Sequence, residues 1–594
     1  MKLENRWRFN LMGTVFLMVT IVIFGQLVRL QNTPQAQSFL EQSSLYAGTW
    51  EVVNAPRGQV YDRWGKLLAG NRTVYEVGVV LANVEDAQAI AFAVNAVLED
   101  DYERVLELVS IPASEEAIYA MIADNVPAEK VDLLNDYMEE RQAAIAAGET
   151  PDGPSLAGLE FRPHLARSYP EDALASTLLG FVGQDKDGIQ GYFGIEQYYD
   201  ELLAGNSREV WLPNDPNRVE ELPDIPPGTS LILTIDRELQ ASVETILDEA
   251  LEEHGAEAGT VVVMDPKTGE ILALASAPRL NLNEFWDFEE IFPGETPFNR
   301  AVSKSYEPGS VFKVITMASA IDAGVVEPQT EFFDTGSIQV GGITIRNWDQ
   351  RAWGEQNMVG CMQNSLNVCL AWVSKEMQAD LFYDYLQRFG FGHTTGVDLA
   401  GEATGRLKEP GDGDWYPADL GTNSFGQGIA VTPMQMVMAI SALANEGQMV
   451  VPHVVRALVD GDSQYEVHPQ FSASPITPET ARIMTEMLAE TLENEASRAL
   501  VPGYRVAGKT GTAEIPTEGG YKRDITNTSF VGWGPVDDPQ FIVYVWLESP
   551  SSSIWGSVVA APVFSQVVTR LVVILNLPPD SVRLALSPEE AEQR

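Results

Sequence analysis

Hydrophobic and polar positions change rhythm several times along the chain. The first rhythm is an unbroken apolar run. Leu11 to Val28 carries no charged residue, and at about 1.5 Å per residue it nearly crosses a bilayer core of roughly 30 Å. Lys2, Arg6 and Arg8 precede the run, while Glu41 and Glu51 follow it. The positive-inside rule then places the N-terminus in the cytoplasm and the rest of the chain outside. A cleaved signal peptide is the alternative, since Ala36-Gln37-Ser38 faintly resembles a cleavage site. The run exceeds the roughly 7–15 apolar residues of such signals, and Arg29 interrupts the approach to the site. A retained single-pass anchor in the cell membrane is the reading.

Beyond the anchor the pattern is mixed. Ala55 to Ala69 alternates turn residues with short apolar stretches and predicts a β-rich segment. From Val84 to Ala147, alanine, glutamate and leucine recur at helical spacing. Gly148 to Gly158 predicts an exposed connection, and a second mixed block covers Phe161 to Leu212. A proline cluster from Pro213 through Pro216, Pro223, Pro226 and Pro227 then marks a boundary. After it, Ser230–Ile235 and Gly259–Met264 predict strands, with an amphipathic helix over Asp236–Glu253 capped by Asp236. Past Pro578 the chain is short and polar and reads as a loose tail. The expected fold is α+β, in four parts: cytoplasmic tail and transmembrane helix (1–30), mixed pedestal (31–222), catalytic domain (223–577) and polar tail (578–594).

Composition narrows the function. A chain of 594 residues with 45% hydrophobic content has ample core for two or more domains. Acidic residues outnumber basic ones 85 to 38, a formal charge of −47. That field repels nucleic acid and anionic lipid surfaces, so nucleic-acid binding is excluded. The two cysteines, Cys361 and Cys369, are too few for a disulfide scaffold. A helix running between them would hold them about 12 Å apart, so free buried thiols are expected. The five histidines show no ligand spacing, and neither a metal nor a cofactor is expected.

Chemistry enters with Lys509-Thr510-Gly511-Thr512, which fits two incompatible patterns. Gly503 through Gly508-Lys509-Thr510 satisfies the phosphate-cradling G-x-x-x-x-G-K-[ST] motif. That motif needs a flexible loop followed by a helix. Here Tyr504-Arg505-Val506-Ala507 predicts a strand, while Gly511, Pro516 and Gly519-Gly520 prevent a helix. Nucleotide binding is therefore rejected, and outside the cell a nucleotide would be lacking. The other pattern joins Ser310-Val311-Phe312-Lys313, Ser365-Leu366-Asn367 and Lys509-Thr510-Gly511 in one predicted domain.

Each piece has a chemical reason. Pro308-Gly309 predicts a turn, and Ser310 then opens a helix, where free N–H groups favour developing negative charge. Lys313 falls on the same helical face. It can act as a base if burial or a second cation, Lys509, keeps its amine partly neutral. Ser365 offers a proton relay and Asn367 an amide that fixes lysine and substrate. Gly508 and Gly511 flank a strand whose edge can pair with an extended peptide. Lys509, Thr510 and Thr512 on that edge suit a terminal carboxylate.

The set resembles that of the class B penicillin-binding proteins, membrane-anchored peptidoglycan D,D-transpeptidases, and the likeness covers nearly the whole chain. Arg57-Gly58 to Asp62-Arg63, Arg167-Ser168-Tyr169-Pro170 and Gly194 to Asp200 resemble that family's pedestal motifs. Phe425-Gly426-Gln427-Gly428 and Thr432-Pro433-Met434-Gln435 match in the C-terminal half. Asn364 to Val368 and Ser529-Phe530-Val531-Gly532 lean toward the septal branch, although that branch commonly has Ser at the position of Leu366.

The resemblance implies an antiparallel sheet with helices, of the penicillin-binding/β-lactamase-like type, behind an elongated dimerisation-type pedestal. It implies that Ser310, deprotonated by Lys313, attacks the bond between two terminal D-alanines of a stem peptide. Backbone N–H groups of Ser310 and Thr512 form the oxyanion hole, and Ser365 protonates the departing D-alanine. The amine of a neighbouring stem peptide then forms the cross-link, and β-lactams acylate the same serine. A lipid-linked glycan polymerase of the division complex is the implied partner, because no glycosyltransferase segment is visible. An elongation-type enzyme, a D,D-carboxypeptidase or β-lactamase, and a non-catalytic division scaffold are the alternatives.

Overall fold

Apolar residues that alternate between two faces build the sheet that carries the site. The computed structural model describes residues 6–31, 48–114, 117–148, 153–185, 188–213, 225–495, 497–517 and 520–586. Five strands form this sheet: β1 (Ala258–Met264), β2 (Ile271–Ala277), β3 (Ala507–Thr517), β4 (Gly520–Gly534) and β5 (Phe541–Glu548). Their order is β2-β1-β5-β4-β3, antiparallel throughout. Val261, Val263, Val543 and Val545 face one layer, with the helices Arg237–His254 and Ala560–Ile574 packed over them. Val262, Met264, Ile542, Tyr544 and Trp546 face the opposite layer, which holds the buried helix α1 (Lys313–Asp322). Both faces are covered, so the central strands read as continuous hydrophobic runs.

The helix Arg237–His254 begins as its sequence predicts. Asp236 caps it, accepting the N–H groups of Glu238 and Leu239 at 3.0 Å each. Gly255, in the left-handed conformation, ends it.

The chain divides into two compact units, Met1–Pro56 with Ala204–Gly228, and Arg57–Leu203 with Thr229–Arg594. In the first, a helix spans Arg6–Gln31 and an antiparallel ribbon pairs Gly48–Val53 with Arg208–Pro213. Apolar side chains of that helix, Phe16 and Phe24 among them, are exposed. Among the described residues no helix is long and apolar enough to cross a membrane. The anchor expected over Leu11 to Val28 thus rests on the sequence. The expected boundary at the proline cluster falls mainly on residues 214–224, outside the described residues.

In the second unit, Val60–Tyr61 joins Ser230–Leu233 in the one parallel pairing among the described strands. A sheet of seven strands grows from it, adding Leu67–Val80, Tyr119–Pro127, Leu159–Ser168, Val455–Asp460 and Ser463–Glu466. Tyr119–Pro127 lies inside the stretch read as helical, and its pairing with Leu67–Val80 overrides that local pattern. At one end of this sheet, Arg57 and Arg167 both bind the fully buried Glu196, each through Nε at 2.7 Å. Within the segment read as a loose tail, residues 580–586 form helical turns. Asp580 accepts the Arg505 N–H at 2.6 Å, and Arg583 pairs with Asp537, docking the helical turn Asp580–Arg583.

Candidate active site

Three separate elements bring the three motifs together. Ser310 lies in a 3₁₀ turn, Gly309–Phe312, which runs directly into α1 at Lys313. Residues three apart eclipse one another in such a turn, so Ser310 and Lys313 share a face. The expected helix start is therefore a tighter turn. Gly309 has φ +59°, and a methyl there would lie 2.7 Å from the Thr512 carbonyl oxygen. Only glycine allows the nucleophile's turn to press this closely on β3.

Lys313 is fully buried. Its Nζ donates to the Ser365 carbonyl at 2.6 Å, to Ser365 Oγ at 3.0 Å and to Asn367 Oδ1 at 2.8 Å. Asn367 is held in turn by its Nδ2, which donates to the Arg346 carbonyl at 3.3 Å. Burial pushes the Lys313 amine well below the usual lysine range, and the charge of Lys509 pushes it further. Lys509 is itself buried, and desolvation brings it down to about 8 against the opposing pull of Glu495. Two buried lysines in one site are thus both held away from ordinary ammonium behaviour.

Ser365 sits between α2 (Met358–Gln363) and α3 (Asn367–Arg388), with φ +52°. That left-handed conformation is uncommon for a non-glycine residue, and here it turns the chain so that two atoms of Ser365 meet Lys313. The same turn corrects the cysteine expectation. Cys361 is in α2 and Cys369 in α3, with Cα atoms 6.1 Å apart, and they form a disulfide. No single helix separates them, because Ser365 breaks the run. The bond closes a short loop around Ser365 and Asn367.

β3 pairs with β4 on one side only, so its other edge is free within the sheet. Exposure alternates along it: Lys509, Gly511 and Ala513 are buried, while Thr510, Thr512 and Glu514 are half-buried. Gly511 has no room for a side chain, since a methyl would overlap Ser529 Oγ. Lys509 Nζ reaches Thr510 Oγ1 at 3.2 Å, and Thr512 Oγ1 accepts the Gly556 N–H at 3.2 Å. This continuous strand excludes the phosphate-loop geometry, which needs a turn and a helix at the same residues.

The structure thus brings the candidate residues of the three motifs, Ser310 with Lys313, Ser365 with Asn367, and Lys509 to Thr512, to one site. Sequence reasoning missed the aromatic rim. Trp348 and Trp555 meet with ring centroids 5.2 Å apart, and Trp348 Nε1 donates to the Asn364 carbonyl at 3.2 Å. Trp555 adjoins Gly556, the donor to Thr512. No local signal joins two tryptophans this far apart in the chain.

Comparison with known proteins fits this geometry. Residues 259–569 match the penicillin binding protein transpeptidase domain, and residues 52–215 match the penicillin-binding protein dimerisation domain. The chain belongs to the class B penicillin-binding proteins. It is 32% identical over 527 residues to stage V sporulation protein D of Bacillus subtilis, covering 86% of this chain and 77% of that protein. It is 27% identical to the peptidoglycan D,D-transpeptidase FtsI of Escherichia coli K12, covering 97% and 93%. Penicillin binding protein 3 of Mycobacterium tuberculosis, solved in complex with aztreonam, superposes with a TM-score of 0.66 at 25% identity, over 89% of this chain and 98% of that one.

Proposed function

We propose that this penicillin-binding protein is a peptidoglycan D,D-transpeptidase of septal wall synthesis, acting through an acyl-enzyme on Ser310. The observation that carries the reading is the buried Lys313 amine, held by Ser365 and Asn367 beside a second buried lysine. In its neutral form Lys313 takes the Ser310 proton as the hydroxyl attacks the carbonyl between two terminal D-alanines. The N–H groups of Ser310 and Thr512 stabilise the oxyanion, each such donor typically worth about 3 kcal/mol. Lys509, Thr510 and Thr512 hold the terminal carboxylate, with Gly511 letting the peptide backbone close on the strand. The proton passes from Lys313 through Ser365 Oγ to the leaving D-alanine. A stem-peptide amine then attacks the ester, Ser310 is regenerated, and a cross-link is made. β-Lactams acylate the same serine, and the mechanism calls for no metal or cofactor.

The charge-free run at Leu11 to Val28 supports a membrane anchor with the catalytic part outside the cell. Residues 31–222 serve as a pedestal without chemistry of its own, the catalytic domain occupying 223–577. The Asn364–Val368 and Ser529–Gly532 motifs support a septal role beside a glycan polymerase of the division complex.

The distinguishing test offers a D-Ala-D-Ala peptide donor together with an amine acceptor. Transfer to the amine is expected to exceed hydrolysis at saturating acceptor. Hydrolysis that dominates at every amine concentration would assign the site to a carboxypeptidase or β-lactamase instead.

A further inference from the structure

Ser365 ends α2 in a manner that usually calls for glycine. The Leu366 N–H donates to the Cys361 carbonyl at 3.0 Å, and the Ser365 N–H to the Met362 carbonyl at 3.3 Å. Such a pair of bonds closes a helix around one left-handed residue, most often glycine. Here that residue is Ser365, at φ +52°. The serine brings what glycine lacks, a hydroxyl 3.0 Å from Lys313 Nζ. A side chain makes the conformation costly, and it persists only where the surroundings over-determine it.

The surroundings that do so include a covalent one. Cys361, whose carbonyl closes the motif, is bonded to Cys369 in the first turn of α3, with Cα atoms 6.1 Å apart. The bond therefore ties the end of α2 to the start of α3 across the turn. Hydrogen bonds also hold the segment: Trp348 Nε1 donates to the Asn364 carbonyl, and Asn367 Nδ2 to the Arg346 carbonyl. Both lie at the surface, where water competes for the same groups. The two cysteines are fully buried, and their bond has no such competitor.

All three acceptors of Lys313 Nζ, the carbonyl and Oγ of Ser365 and Oδ1 of Asn367, lie between the two cysteines. We infer that the Cys361–Cys369 disulfide is a positioning element of the reaction, locking the turn that holds Lys313 on the face of Ser310. The inference rests on the transpeptidase reading above. The protein with both thiols free is then the slower enzyme. Disulfides persist in oxidising surroundings, which the proposed placement outside the cell supplies.

The test compares the full-length parent with the Cys361→Ala/Cys369→Ala double variant, both in detergent, by stopped-flow acylation with labelled penicillin across pH. The rate constant reports the site in folded molecules, and the burst amplitude reports how many molecules are folded. The variant's rate constant is expected to fall about 10- to 10²-fold, as for a catalytic group displaced by about 1 Å. Its acid limb should also move to higher pH. A loosened turn admits water to the Lys313 amine and relieves the burial that lowers its pKa. Lys509 on β3 is the charged group that acts on Lys313, with Glu495 acting on Lys509 in turn, and the variant keeps both. A second sample is parent reduced by dithiothreitol in mild urea and returned to buffer. The reductant gives two electrons and two protons to the bond, makes two thiols, and closes to its own cyclic disulfide. This sample should match the variant, and reoxidation with oxidised glutathione should restore the parent rate.

A smaller burst with an unchanged rate constant would mean that the bond serves the fold alone, and overturns the assignment. So does a slower rate whose acid limb has not moved, since the bond would then act elsewhere than on Lys313. Either result leaves the transpeptidase reading in place. A parent protein that takes up no penicillin overturns both.

Discussion

Replacing Lys313 with alanine is expected to slow penicillin acylation by about 10²- to 10⁴-fold, the usual cost of a lost general base. The amine is the group that the 3₁₀ turn sets on the face of Ser310, and its three acceptors fix its position. Acylation also acquires a defined pH dependence. As the proposed base, Lys313 works only when neutral, and burial with the nearby Lys509 charge lowers its pKa. The rate should therefore persist to lower pH than an ordinary lysine permits, then fall as pH drops through the lowered value. As the proposed carboxylate partner, Lys509 works only when charged, and its pKa is brought down to about 8. Binding of carboxylate-bearing substrates should accordingly decline above about pH 8, giving a bell-shaped kcat/KM. Stopped-flow acylation of both proteins across pH measures this. A Lys313→Ala rate within a few-fold of the parent would assign the base elsewhere.

The second large effect is on stability. Glu196 is fully buried between Arg57 and Arg167, which are 8% and 3% exposed. Arg57 also pairs with Asp200 at 2.8 Å. Removing the central carboxylate in Glu196→Ala strands two guanidinium groups in a low-dielectric site, and breaking a buried pair this way typically costs about 3–5 kcal/mol. The expected result is a Tm lower by about 3–5 °C. Glu196→Gln should fall between, since it keeps acceptor capacity on one side only. Thermal unfolding checks both, and a Glu196→Ala Tm within about 1 °C of the parent would mean that the node contributes little.

Much of this was legible in the sequence because the relevant signals are local. Asp236 before an amphipathic run marks a helix start, and the valine-rich strands mark a sheet covered on both faces. Lys509-Thr510-Gly511 reads as strand because Tyr504 to Ala507 leads into it and no helix can follow. The illegible parts depend on distant contacts. The Cys361–Cys369 bond follows from the Ser365 turn, whose positive φ no composition rule announces at a serine. Tyr119–Pro127 is a strand because Leu67–Val80 offers it a ladder, although its alanine and methionine favour helix. The order of Asp580–Arg583 comes from Arg505 and Asp537.

The central claim is that Ser310 is the nucleophile, and intact-protein mass spectrometry with peptide mapping after penicillin treatment tests it most directly. One penicilloyl adduct per chain is expected, on the peptide containing Ser310, and none on Ser310→Ala protein of unchanged fold. An adduct of equal yield on the Ser310→Ala protein would contradict it.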